Sequence, residues 1–191
     1  KIASISKLYL ASTLTKLVQE GKLDLDAPLT KYLPELEGRI ENADEITLRM
    51  MVGHRSGIPN FTDSPNFWSE PAKSYEDNLA LILNMPASFE PDTDYEYCNT
   101  NYLLLARIID QTLGYEHYKF IQSEILDPLE LEHTYKSLEQ VDIQQVMSGY
   151  HKGYPYNLRE DEHGMLATAQ DVGSFVRALN QGGLFSEGGQ E

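Results

Sequence analysis

What this sequence lacks excludes several protein classes. A single cysteine, Cys98, in 191 residues excludes a framework of internal disulfides. Lysine and arginine number 15 against 30 aspartate and glutamate residues, which gives a net charge of −15. Because nucleic acids and anionic membranes bind basic surfaces, this charge argues against both as partners. No apolar run approaches the ~20 residues that a transmembrane helix needs.

The histidines show no pattern typical of a metal site. They lie at positions 54, 117, 133, 151 and 163. No two have the His-x-x-x-His spacing, and there is no pair of cysteines to complete a ligand set. We therefore expect no metal ion and no other cofactor.

The composition and the apolar periodicity predict one mainly helical domain over residues 1–191. The chain is 41% hydrophobic and 10% aromatic, as in globular proteins. Thr47, Ser74-x-x-Asp77 and Thr168-x-x-Asp171 predict helix starts, and glycines predict several ends. The predicted helices span about 2–20, 47–52, 74–85, 99–113, 116–126 and 168–181, with a short helical turn around residue 31 and a hairpin or loop at 150–156.

A serine and a lysine lie one helical turn apart near the start of the chain. In Ser4-Ile5-Ser6-Lys7, a hydroxyl and an amine three residues apart share one face of a helix. The free amides at the start of that helix favour negative charge developing on Ser4. Apolar neighbours favour the neutral amine of Lys7, which can act as a base. The alternative is a capping serine followed by a solvated lysine, since Ser-x-x-Lys also arises by chance.

A second motif, Tyr97-Cys98-Asn99, follows about ninety residues later. In an extended segment its phenol and its amide point to the same side. The two motifs together supply a nucleophile, a base, a second proton carrier and a hydrogen-bonding amide. These are the parts of a serine acyl-transfer enzyme. The alternative is a core tyrosine followed by a helix cap, and Asn99 could both cap a helix and bind substrate.

The order of these motifs resembles one known family. The chain is similar to the serine β-lactamase/D-alanyl-D-alanine carboxypeptidase superfamily, nearest its class C β-lactamase-like branch, which includes esterases and D-aminopeptidases. The resembling segments are 2–7, 17–28, 32–34, 46–48, 54–59, 89–91, 97–102, 125–129 and 164–171. They cover nearly the whole chain in the family's order.

The resemblance implies a role for each motif residue. Ser4 is acylated and its backbone N–H forms half of an oxyanion hole. Lys7 and Tyr97 transfer the proton, and Asn99 binds the substrate amide. Cys98 stands where the family often has serine, so it is expected to be a small packed residue and not a nucleophile.

The resemblance also implies a structural loop and a missing third motif. His54, Ser56 and Gly57 belong to the family's His-x-Ser-Gly loop, where His54 hydrogen-bonds the turn. The family's third motif, Lys-Thr-Gly or His-x-Gly, should follow segment 164–171, beyond the end of this sequence. His151-Lys152-Gly153 has the right letters but comes too early. We therefore expect the helical lobe of the α+β fold, with most of its antiparallel sheet absent from this chain.

Three functions follow as hypotheses. The first is a serine hydrolase of β-lactams, D-Ala-type peptides or small esters, weak or inactive as this chain alone. The second is a catalytically incompetent fragment or pseudoenzyme, and the third is a helical interaction module. Without the sheet, a stripe of Ile5, Leu8 and Leu17 would lose part of its cover, which predicts a homo-oligomer or swapped dimer. An extracytoplasmic location is implied by the resemblance only.

Overall fold

The computed structural model describes residues 1–65, 67, 74–156 and 164–185. The chain divides into two compact units, one formed by Lys1–Lys16 with Tyr118–Glu191 and the other by Leu17–His117. Helices are the main secondary structure described in both units. The described strands all lie in the first unit and form two short antiparallel pairs.

The described helices and strands have the following bounds. The helices are α1 (Ser6–Gln19), α2 (Leu29–Tyr32), α3 (Leu48–Val52), α4 (Tyr75–Ala80), α5 (Asn99–Leu113), α6 (His117–Ile121) and α7 (Ala169–Asn180). The strands are β1 (Thr134–Tyr135), β2 (Gly149–His151), β3 (Tyr154–Tyr156) and β4 (Leu166–Ala167). 3-10 turns lie at Ala3–Ile5, Pro34–Leu36, Phe61–Asp63, Leu138–Gln140 and Ile143–Gln145, and Gln122–Leu126 is π-helical.

In the first unit, an aromatic stack lies at the centre of the core. The rings of Tyr9 on α1 and Phe175 on α7 lie 3.9 Å apart and nearly parallel. Neither residue is exposed to solvent, and burial raises the pKa of Tyr9 to about 12. The core around them contains Ile2, Ile121, Ile125, Leu126, Leu131, Met165 and Leu184. Burial of these apolar side chains stabilises the unit by roughly 1.5–3 kcal/mol each.

Asp171 connects the start of α7 to strand β1. Its carboxylate accepts hydrogen bonds from the backbone N–H of His133 and the hydroxyl of Thr134, both at 2.9 Å, and from the hydroxyl of Thr168 at 3.0 Å. Thr168 in turn caps α7 by accepting the backbone N–H of Asp171. A carboxylate so buried needs such donors because burial without them is costly.

In the second unit, α3 packs against α5. The hydroxyl of Tyr102 on α5 donates to the carbonyl of Val52 at the end of α3, at 3.3 Å. Thr47 caps α3 by accepting the backbone N–H of Met50. Buried apolar residues of this unit include Leu29, Leu33, Leu36, Ile46, Leu48, Met51, Ile82, Leu104 and Ile109.

Most helix predictions are confirmed, and local capping explains why. The Ser74–Asp77 capping box opens α4, and Gly114 ends α5 with a φ of 73°, which glycine adopts without steric cost. The hairpin predicted at 150–156 is β2 paired with β3. One predicted end is wrong, because α4 stops at Ala80 and not near residue 85. The helix predicted over 116–126 does end at Leu126, but its second half is π-helical after Ile121.

The stripe predicted on α1 is only partly correct. Ile5 and Leu8 are each 40% exposed, but Leu17 is fully buried. Leu17 therefore contributes to the core and not to an uncovered face. Within the described residues, none of the helices has the length and apolar character needed to cross a bilayer.

Candidate active site

The first motif lies in the first unit and is organised within one helical turn. Ser4 lies in the 3-10 turn Ala3–Ile5, and Lys7 lies in the first turn of α1. Lys7 Nζ is 3.2 Å from Ser4 Oγ, within hydrogen-bonding distance. Ser4 is exposed and Lys7 is half-buried. The amine is therefore in place to exchange a proton with an accessible hydroxyl.

The backbone just before Ser4 is strained. Ala3 has a φ of +44°, in the left-handed region that costs a non-glycine residue roughly 1–2 kcal/mol. The backbone N–H of Ile2 donates to the carbonyl of Met165 at 3.1 Å, and the hydroxyl of Ser6 donates to the carbonyl of Ala3 at 2.7 Å. These bonds hold Ala3 in a conformation that its own preference disfavours. Such strain is typical of functional sites, and no feature of the sequence predicted it.

The second motif lies in the second unit, where the chain enters α5. Tyr97 is 42% exposed, so it is not the core tyrosine of the alternative hypothesis. Asn99 is the first residue of α5, and the N-cap residue is Cys98, which makes no side-chain capping bond. The side chain of Asn99 is therefore not a helix cap. Its amide nitrogen points to Asn60 and Thr62 instead, at 3.3 Å from each oxygen.

A loop about forty residues earlier in the chain contacts the second motif through a hydrogen bond and through aromatic rings. Cys98 N–H donates to Nδ1 of His54 at 3.1 Å. Because this nitrogen accepts a hydrogen bond, the ring proton of neutral His54 is on Nε2. The His54 ring also contacts the rings of Tyr97 and Tyr102, with centroids at 4.6 and 5.3 Å. His54 thus supports the backbone between Tyr97 and Asn99.

Ser56 and Gly57 shape the same loop. The hydroxyl of Ser56 donates to Oδ1 of the fully buried Asn101 at 2.7 Å and accepts the N–H of Ile58. Gly57 has a φ of +73°, and a Cβ there would lie 2.0 Å from the carbonyl oxygen of Phe89. No other residue fits at this position.

The environment of Cys98 suits a packed residue. Its thiol is buried and contacts the carbonyl of Ile58 at 3.2 Å. Burial raises the pKa of this thiol, which disfavours the nucleophilic thiolate.

The phenol of Tyr102 also has a shifted pKa. Burial, followed by the charges of Tyr97 and Tyr95, raises the pKa of Tyr102 to about 12.

Sequence reasoning missed Asn60, Thr62 and Asn101, which all contact the second motif or the loop beneath it. Of these three residues, only Asn60 had a signal in the sequence, because it is a polar residue directly after Ile58-Pro59 at the end of the resembling loop segment. In the segment His151-Lys152-Gly153, His151 ends β2, and Lys152 and Gly153, both with positive φ, form the turn to β3. In the part of the chain that the structure describes, no three histidine, cysteine, aspartate or glutamate residues form a group that could hold a metal ion.

Comparison with known families identifies one match over the whole chain. The model of the family described as Beta-lactamase matches residues 1–191. Protein flp of Staphylococcus aureus (strain COL) is 30% identical over 135 residues, which is 70% of this chain and 27% of that protein. The chain therefore spans about a quarter of the length of this curated relative.

Solved structures with the same fold include a D-amino acid amidase and a D-stereospecific amidohydrolase. The D-amino acid amidase of Ochrobactrum anthropi SV3, in complex with L-phenylalanine, has a TM-score of 0.84 and 27% identity. The match covers 100% of this chain and 57% of the amidase. A D-stereospecific amidohydrolase from Streptomyces sp. has a TM-score of 0.85 at 24% identity, with 100% and 63% covered. The described residues thus have a beta-lactamase-like fold.

Proposed function

Since the chain belongs to the beta-lactamase family, whose members include serine hydrolases and penicillin-binding proteins, we propose that it cleaves an amide or ester through an acyl-enzyme on Ser4. The observation that carries this proposal is the 3.2 Å contact between Ser4 Oγ and Lys7 Nζ. A hydroxyl next to an amine is the arrangement that activates a serine for attack. In this proposal, residues 1–191 act as a single catalytic domain.

In the proposed reaction, Lys7 acts as the base and takes the proton of the Ser4 hydroxyl. The oxygen attacks the substrate carbonyl carbon and forms a tetrahedral intermediate, whose negative charge the backbone N–H of Ser4 helps to stabilise. The bond between the carbonyl carbon and the leaving group then breaks, and the leaving group takes up the proton that Lys7 accepted. A water molecule then attacks the carbonyl carbon of the acyl-enzyme and gives one proton to Lys7. Lys7 passes this proton to Ser4 Oγ as the acid product leaves.

Tyr97 and Asn99 have supporting roles in this proposal. Tyr97 is exposed enough to relay a proton to the leaving group. Asn99 binds the amide of the substrate, and the network around Asn60 and Thr62 supports a fixed orientation for it. His54, Ser56 and Gly57 form the structural loop below these two residues.

The proposed substrates are amides of D-amino acids and D-Ala-type peptides, followed by β-lactams and small esters. The 27% identity to a D-amino acid amidase supports the first class. Since the chain covers 57% of that enzyme, we expect the 191 residues alone to turn over substrate slowly. We also propose that they form the helical lobe of the larger fold, and that Ile5 and Leu8 contribute to a homo-oligomer or swapped dimer.

Covalent labelling tests the proposal directly. The protein is incubated with a fluorophosphonate or with penicillin, and its intact mass is then measured. We expect one adduct per chain, located on Ser4 by peptide mapping. Ser4→Ala should abolish the adduct. Ser123→Ala, which removes an exposed hydroxyl of the same unit outside the motif, should keep it.

The labelling result also separates the rival hypotheses. A folded protein that takes no label from either reagent would identify a catalytically incompetent family member. An adduct that persists in Ser4→Ala would disprove Ser4 as the nucleophile. Oligomer formation is tested separately, by comparing the wild-type mass in light scattering with that of an Ile5→Ser/Leu8→Ser double variant, which should be monomeric.

A further inference from the structure

One side chain of the 54–62 loop, Asn60, contacts both the backbone and the side chain of Asn99. Asn60 Oδ1 is 3.0 Å from the backbone N–H of Asn99 and 3.3 Å from its side-chain Nδ2. The Nδ2 of Asn60 lies 2.8 Å from Thr62 Oγ1 and 3.2 Å from Asp63 Oδ1. All four contacts lie within the second unit.

The backbone N–H of Asn99 determines how both side-chain amides are oriented. A backbone N–H can only donate, so the Asn60 atom that faces it must be the carbonyl oxygen Oδ1. The atom of Asn99 next to that same oxygen must then be the donor Nδ2. Thr62 Oγ1, also 3.3 Å from this nitrogen, is a second acceptor for it. A flipped Asn99 amide would place its oxygen against the oxygen of Asn60, which is repulsive.

We propose that Asn60 is a positioning residue, which acts with Thr62 to fix the donor–acceptor orientation of the Asn99 carboxamide. This inference rests on the proposed role of Asn99 in binding substrate. An amide that is free to flip would offer a donor or an acceptor to the substrate indiscriminately. The fixed amide offers one polarity, so it discriminates between a substrate carbonyl and a substrate N–H at the same place.

Asp63 gives the proposal a sharp internal test. In Asn60→Asp, the carboxylate still accepts the two bonds from Asn99, but a second oxygen replaces Nδ2 beside Asp63. Two like charges about 3 Å apart repel strongly. Adding Asp63→Asn removes that charge and supplies a donor in its place. The double variant therefore rebuilds the network with the two side-chain types exchanged.

Hydrolysis of a D-amino acid p-nitroanilide is measured for each variant. We expect Asn60→Ala to lower kcat/KM about 10²-fold, as small displacements of substrate-binding groups do. Asn60→Asp should lower it about tenfold, and Asn60→Asp/Asp63→Asn should recover to within about threefold of wild type. Thr62→Val should lower it more than Thr62→Ser, which keeps the hydroxyl. Gln111→Ala, an exposed carboxamide on the same helix, is the matched control.

A double-mutant cycle shows whether Asn60 acts through Asn99. If it does, Asn60→Ala should add little to the loss already caused by Asn99→Ala. Multiplicative losses in the cycle would overturn the proposal, because they would show that Asn60 contributes elsewhere. Failure of Asn60→Asp/Asp63→Asn to recover would overturn it as well.

Hydrogen exchange tests the positioning role of Asn60 separately from the proposed function, because it can be measured in an inactive protein. Hydrogen exchange of the Asn99 backbone N–H, followed by NMR, should accelerate at least tenfold in Asn60→Ala and stay unchanged in Gln111→Ala. Unchanged exchange in Asn60→Ala would overturn the positioning role even in an active enzyme. An inactive wild-type protein with the expected exchange pattern would overturn the proposed function and keep the geometry.

Discussion

The two motifs differ in what holds them in place. The Ser4 and Lys7 side chains contact each other across three residues of one helical turn. In contrast, Tyr97 and Asn99 depend on a loop about forty residues away, which accepts hydrogen bonds from the backbone N–H groups of Cys98 and Asn99. The first motif is organised mainly by helix periodicity, and the second by tertiary contacts.

This difference shows where substitutions should act. In the first motif, a change at Lys7 removes a chemical group and leaves the surrounding backbone intact. In the second motif, a change in the 54–62 loop displaces residues that are themselves unaltered. Substitutions in the first motif should therefore lower activity with little change in stability. Some substitutions in the loop that supports the second motif should lower both activity and stability.

The largest expected effect is loss of the amine at Lys7. Lys7→Met keeps the length and the packing of the side chain but cannot accept a proton. We expect kcat to fall by about 10³-fold, within the range for loss of a general base, with a shift in Tm below about 2 °C. Steady-state kinetics and calorimetry measure the two quantities. A Lys7→Met enzyme with near wild-type kcat would show that another group deprotonates Ser4.

Substitution of Gly57 tests whether the second motif depends on tertiary contacts of the 54–62 loop. Gly57→Ala forces a Cβ against the carbonyl of Phe89, at 2.0 Å, in a left-handed backbone. We expect a loss of about 2–4 kcal/mol in the free energy of unfolding, together with loss of activity. Gly38→Ala is the matched control, because Gly38 has a similar φ of +68° and no atom within 4 Å of its Cβ. It should cost only about 1–2 kcal/mol in urea denaturation.

His54 tests the same dependence through a single hydrogen bond. His54→Leu leaves the Cys98 N–H without its acceptor, which costs roughly 1–3 kcal/mol if the group stays buried. We expect about a tenfold lower kcat/KM. His54→Asn places an oxygen near the position of Nδ1 and should stay within about threefold of wild type. Equal losses in the two variants would mean that ring packing against Tyr97, and not the hydrogen bond, is what matters.

The smallest effect is expected at an ion pair outside both motifs. Hydrogen bonds from Arg49 lower the pKa of the exposed Asp26 carboxyl, whose oxygens lie 2.7 and 3.1 Å from the guanidinium. Because the folded-state pKa is lowered, any stabilisation is present above the unfolded-state pKa and is lost as the pH falls through the folded value. Arg49→Gln should raise the pKa of Asp26 toward its usual value, as measured by NMR titration. Tm at neutral pH should hardly change, because exposed pairs contribute little.

Helix positions were predictable because their signals are local. Thr47, Ser74 and Thr168 cap the helices that they were predicted to cap. The prediction for α4 was wrong at its C-terminal end, where no glycine or proline marks the stop at Ala80. Leu17 was predicted on an exposed stripe, but it is buried, since periodicity defines an apolar face without showing what covers it.

The two motifs of the candidate site were predictable to different degrees, because only the first is organised by local spacing. Spacing alone placed Ser4 and Lys7 on one helical turn, and the contact between them follows from helix geometry. Spacing did not indicate that Asn99 would be bonded to Asn60 and not act as a cap, because that contact joins residues 39 positions apart. The left-handed Ala3 also had no signal, since alanine rarely adopts that conformation.

The helices, the two motifs and the family could all be recognised in the amino-acid sequence, because capping residues, apolar periodicity and motif order act over short stretches of chain. In contrast, the orientation of the Asn99 amide, the tautomer of His54 and the requirement for glycine at position 57 follow from tertiary contacts. Each of these depends on which distant backbone group approaches the side chain. That approach is set by the packing of the loop against α5, and no local stretch of residues specifies it.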